Sequence, residues 1–133
     1  MPADYTIDSA RRVLVVRFWG RLSRSDAIAI RSRLRADPAF DPSLNDLVDF
    51  TDVTAIDLTA DDLQHFGGAP LARGVRYAVV ATTPLTYGIA RVFQAYRESQ
   101  GAPVEVFHDR ASAERWLGLA DAGDEPPSPS ANA

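Results

Sequence analysis

Strand-length apolar runs alternate along this chain with stretches that open on a Ser, Thr or Asp and continue at helical spacing. That alternation is the strongest constraint on its fold. Strands joined through helices must lie parallel in one sheet with right-handed crossovers. Four helix starts punctuate the pattern. Ser23 with Asp26 and Thr59 with Asp62 have the spacing of reciprocal caps, Thr83 precedes Pro84, and Asp109 precedes the last helix. Strands are expected over residues 5–8, 13–19, 46–50, 76–81 and 104–107. Gly20 is read as the end of the second strand and residues 51–58 as irregular. Residues 9–12 read as a hairpin turn, which places the first strand antiparallel at the edge. The order is ββαβαβαβα, a single α/β domain over residues 1–120 with a mostly parallel five-stranded sheet. From Asp121 the chain turns to Asp, Glu, Pro, Ser and Ala, the composition of a disordered tail, so 121–133 is expected to be dispensable for stability.

The helical faces follow from spacing. Ala27, Ile30 and Leu34 form the inner stripe of the first helix, and Leu85, Ile89, Val92, Phe93 and Tyr96 that of the third. Ala113, Trp116 and Leu117 face inward from the last. Phe18, Ile30, Val48, Val79, Ile89, Phe93, Val106 and Trp116 are expected to be buried together.

Composition narrows the chemistry. The 133 residues, 46% of them hydrophobic and 24% charged, suffice for one ordinary core. With 18 acidic and 14 basic side chains the net charge is −4, the wrong sign for a general nucleic-acid or anionic-membrane binder. Every basic residue is Arg, which excludes a Walker A lysine, a Schiff base and the lysine of a receiver domain. The absence of Cys excludes thiol catalysis, disulfides and cysteine metal sites. The sequence opens Met1-Pro2-Ala3-Asp4, without the features of a signal peptide, and its apolar runs are too short for a membrane span. A cytoplasmic protein is expected.

Candidate functional residues gather at the carboxyl ends of the parallel strands, where open α/β sheets hold ligands. Asp49, Thr51 and Asp52 follow the third strand, Thr82 and Thr83 the fourth, and His108 and Asp109 the fifth. A hydrolase-type reading pairs Asp52 with His108 as acid and base, whereas capping accounts for Thr83 and Asp109 without any chemistry. Asp61, Asp62 and His65 share a helix face but make a poor zinc set, so no metal is expected, and no cofactor. On the third helix, Tyr87 and Arg91 stand one turn apart and are the residue types that dominate protein interfaces. Asp52, Thr54, Thr83, Tyr87 and Arg91 are therefore the expected partner- or ligand-binding residues.

With the segments Tyr5-Thr6-Ile7-Asp8, Leu47-Val48-Asp49-Phe50, Tyr87-Gly88-Ile89-Ala90-Arg91 and Ala113-Glu114-Arg115-Trp116-Leu117 in this order, the chain resembles the STAS-like superfamily. This is the fold of the anti-sigma-factor antagonists, and the likeness, over residues 4 to 119, is to its small bacterial members. The resemblance implies a non-enzymatic regulatory or binding module, with a protein as its partner. The alternative is a sensor that binds a small ligand, a nucleotide or a lipid, at the carboxyl rim. A homodimer is compatible with either. Antagonists carry a phosphorylated Ser after the third strand. This chain has no Ser between Ser43 and Ser99, so no residue is carried over as a phosphoacceptor.

Overall fold

A computed structural model describes residues 3–67, 75–99 and 103–119. The elements are β1 (Ala3–Asp8), β2 (Val13–Ser23), α1 (Arg24–Ala36), β3 (Asn45–Asp57), α2 (Ala60–Gly67), β4 (Tyr77–Val80), α3 (Pro84–Glu98), β5 (Val104–Phe107) and α4 (Arg110–Trp116). The five strands form one sheet in the order β1-β2-β3-β4-β5, with β1 antiparallel to β2 and the other pairs parallel. The expected order, topology and antiparallel edge strand are thus all present. The expected tail, residues 121–133, lies outside the described residues.

The helix starts are made by the residues that announced them. The Ser23 hydroxyl accepts from the Asp26 amide while Asp26 accepts from the Ser23 amide, and Thr83 and Thr86 exchange the same pair of bonds. Asp109 accepts from the Ser112 amide at 2.7 Å. Each bond satisfies an amide that the first helical turn leaves without a partner. Tyr5 on β1 donates to Asp37 at the end of α1 over 2.6 Å, which ties the edge strand to the helix above it.

Two expectations about the strands are corrected. Gly20 does not end β2; with φ +68 it sits within the strand, which continues to Ser23. Residues 51–57 are not irregular but continue β3, paired to β2 as far as Ser23↔Asp57. Two register shifts, between Arg17 and Trp19 and between Gly20 and Arg21, give β3 its extra residues. Such bulges break the period-two alternation by which a strand is recognised in sequence. β4 pairs with β3 only as far as Asp49↔Val80, so β2 and β3 run on as a two-stranded arm.

The expected single core is divided by the sheet. Phe18, Ile30 and Val48 pack on the face covered by α1. Val79, Ala90 and Val104 continue that face under α3. Trp116 lies on the other face, where α4 covers Val13, Leu47, Ala78 and Val80. Phe18, Ile30, Val48 and Val79 are buried, whereas Ile89, Phe93, Val106 and Trp116 are half-buried. The stripe of α3 is also turned. Its buried residues are Thr86, Ala90 and Arg97, and Leu85 and Val92 stand 49% and 41% exposed. Small side chains let the helix approach the sheet, and the larger ones flank that contact.

Candidate functional site

The residues expected to bind a partner do not form one cluster. Thr83 caps α3, with its hydroxyl engaged by the Thr86 amide at 3.2 Å. One turn on, the Tyr87 ring stacks on His108 with centroids 4.4 Å apart and planes within 9°. Arg91 reaches back to the Tyr87 hydroxyl at 3.4 Å, with its guanidinium 6.0 Å from the ring centre. Thr83, Tyr87 and Arg91 therefore share the first half of α3. Asp52 does not join them. It pairs with Arg17 at 2.7 Å, and Arg17 lies over Trp19 at 4.9 Å, on the sheet face opposite α3. Thr54 is exposed on the β2–β3 arm. Since Asp52 is held by Arg17 and His108 by Tyr87, the acid–base pair is not assembled. Among the described residues no group of His, Cys, Asp or Glu could hold a metal ion.

A different site is built on the face under α1 and α3. Between these helices and the sheet lies a cavity of about 400 Å³. Its floor is Leu14, Val16, Phe18 and Leu22 of β2, with Val48 and Phe50 of β3 and Val79 of β4. Alternation along the strands puts these side chains on one face. Ala27, Ile30 and Leu34 of α1 form one wall, Ile89 and Phe93 of α3 the other, and Leu58 and Leu63 close one end.

The opposite end, at the amino termini of β3 and β4, is polar. Asp46 occupies the place on β3 that alternation would give to another apolar residue beside Val48 and Phe50, and Tyr77 is its neighbour on β4. Arg97, in the last turn of α3, is 6% exposed. Its guanidinium lies 5.0 Å from the Tyr77 ring centre and 5.2 Å from that of Phe93. Arg31 and Arg35 approach from α1. Burial pushes the Asp46 carboxyl up to about 7 even though Arg97 pulls it down. Burial likewise pushes the Tyr77 phenol up to about 12, against Arg97. Arg31 is lowered, by burial first and then by repulsion from Arg35.

Asp46, Tyr77, Arg31 and Arg97 were missed in the sequence. Basic residues late in a helix read as complements of its dipole, and Asp46 reads as the edge of a strand. One signal was available. Arg97 follows Phe93 by one turn, and therefore continues the buried stripe of α3 rather than its outer face.

No protein-family model matches the sequence, and no curated protein matches it. Among solved structures, six chains match. One is an uncharacterised protein of the DUF3478 family from Shewanella loihica PV-4, described as having a SpoIIAA-like fold. It superposes with a TM-score of 0.61 over 86% of this chain and 93% of its own, at 20% identity. The chain is thus a single α/β domain with the SpoIIAA-like, or STAS-like, fold. No described helix is long and apolar enough to cross a membrane.

Proposed function

We propose that this domain is a non-catalytic binding module whose ligand is an amphipathic small molecule held in the cavity between α1, α3 and the sheet. The observation that supports this reading is the cavity itself. About 400 Å³ of mostly apolar space with a few convergent polar groups is the ordinary build of a small-molecule site, and close-packed interiors leave few voids larger than a water. It corresponds to the small-ligand alternative, but displaced from the carboxyl rim to the helix-covered face. A neutral fluorescent reporter, N-phenyl-1-naphthylamine, tests it. Binding should brighten the reporter, and Val48→Phe or Leu34→Phe, which fill the space from opposite sides, should abolish the signal in a folded protein. Unchanged binding in both variants would place the reporter elsewhere.

A second reading, regulation through a protein partner, is favoured by the exposed Leu85 and Val92. They lie on the same helix as Tyr87 and Arg91 and leave apolar surface beside a planar cation. On this reading Arg91→Ala leaves folding intact and abolishes capture of the partner from cell extract. Survival of capture would count against it. If the partner is a second copy of the chain, Leu85→Arg should prevent its self-association in sedimentation.

A further inference from the structure

The cavity is apolar along most of its length and charged at one end. Resting on the reading of this cavity as a ligand site, we propose that its occupant is a single-chain carboxylic acid. Its carboxylate lies among Arg31, Arg97 and Asp46, and its hydrocarbon runs along the sheet toward Leu22 and Leu63.

The sign of the head group comes from the lining. Three guanidiniums and one carboxylate border the space, a surplus of positive charge even with Asp46 ionised. A cationic head would meet Arg97 where little water screens the repulsion. The size of the charge follows from burial. Arg35 is exposed, so water and salt screen it, whereas Arg97 is buried and Arg31 half-buried. Against these two, an ionised Asp46 leaves a surplus of one, which a monoanion balances and a phosphate dianion exceeds. The guanidinium of Arg97 lies beside the Tyr77 and Phe93 rings, and a planar guanidinium matches the flat, two-oxygen shape of a carboxylate better than a tetrahedral phosphate.

The shape of the tail comes from the floor. Leu14 to Leu22 spans eight residue steps of β2, about 26 Å of strand, and every floor residue between them is apolar. A volume of about 400 Å³ lies near the lower end of ligand pockets and matches one acyl chain, not two.

Asp46 makes the site sensitive to pH. The groups facing it are Arg97 from α3, Tyr77 from β4, and Arg31 and Arg35 from α1; its β2 neighbour is the uncharged Leu14. Burial sets the Asp46 carboxyl to titrate near 7. Protonated, it can donate a hydrogen bond to the ligand carboxylate. Ionised, it repels that group, so affinity should fall as pH rises through this range.

The test is displacement of N-phenyl-1-naphthylamine by dodecanoate, dodecanol, dodecyl phosphate and dodecyltrimethylammonium, at about pH 6 and about pH 8 on either side of the Asp46 titration. Dodecanoate should bind about tenfold or more tighter than dodecanol, the worth of one charged hydrogen bond. Arg31→Gln and Arg97→Gln should each abolish that preference and leave dodecanol unchanged. Asp46→Asn should keep the preference and remove its weakening at the higher pH. Equal displacement by dodecanoate and dodecanol, or stronger displacement by the phosphate or the ammonium compound, overturns the carboxylate assignment while the cavity reading stands. If Arg97→Gln does not fold, Arg31→Gln and the unmodified protein decide. Failure of every compound, the reporter included, overturns the cavity reading and this proposal with it.

Discussion

Leu47, Ala78, Val80 and Ala113 meet on the α4 face of the sheet with no exposed surface, while on the other face α1 and α3 stand over an open space of about 400 Å³. Hydrophobic residues line both, so hydrophobicity does not separate them. Side-chain size does. Where alanines on sheet and helix oppose each other, one seven-residue helix closes the interior. Where Leu, Ile and Phe stand on both sides, the backbones are held apart and the gap is not filled. The closed face serves stability and leaves the other free to be hollow.

The largest test of this contrast truncates a leucine on each face. Leu47→Ala should cost about 3–5 kcal/mol, because its fully packed site cannot collapse, while Leu34→Ala on the cavity wall should cost nearer 2 kcal/mol. Equal losses in urea unfolding would mean that the two interiors are equally tight. Enlargement should act in the reverse sense. Ala113→Leu overpacks the closed face and should destabilise by about 1–3 kcal/mol, whereas Val48→Leu extends into open space and should be neutral or stabilising in thermal unfolding.

The charged end of the cavity gives a pH signature that the closed face lacks. Because Asp46 keeps its proton to about pH 7 in the folded chain and loses it near 4 when unfolded, the folded state binds more protons between these values. The contribution of Asp46 is therefore fully present below about pH 4 and fades as pH rises to 7, by on the order of 1–2 kcal/mol once water at the carboxyl is allowed for. Asp46→Asn should remove that slope, and an unchanged slope would place the titration on another group. The smallest effect is expected at the exposed Arg17–Asp52 pair. Asp52→Ala should change stability by at most about 1 kcal/mol, and a larger loss would show that the open part of the α4 face is more tightly organised than its exposure indicates.

Much of the fold was legible because local signals agreed with it. The caps at Ser23, Thr83 and Asp109 each begin a helix, and the alternation of elements produced the sheet order. What escaped depends on geometry between elements. The bulges that lengthen β3 obey no period, and a helical stripe does not say which of its apolar residues touch the sheet. Leu85 and Val92 look inward by spacing but lie outside, whereas Thr86 and Arg97 lie inside. The site was harder still. Thr83, Tyr87 and Arg91 meet as helix geometry requires, but Asp52 was placed beside them on the premise of a loop, and a strand carries it to the other face. A cavity has no sequence of its own, since it arises where several elements fail to meet.

The two-stranded arm bears on how that space could change size. β2 passes into α1 at Ser23 without a connecting loop, and only Leu58 and Thr59 separate the end of β3 from α2. Arg24 and Asp62, at the starts of the two helices, stand 3.6 Å apart. Both helices that border one end of the cavity are thus rooted at the tip of a single ribbon, whose base carries the two register shifts. A twist of that ribbon would therefore carry the roots of α1 and α2 together, because both are joined to its tip.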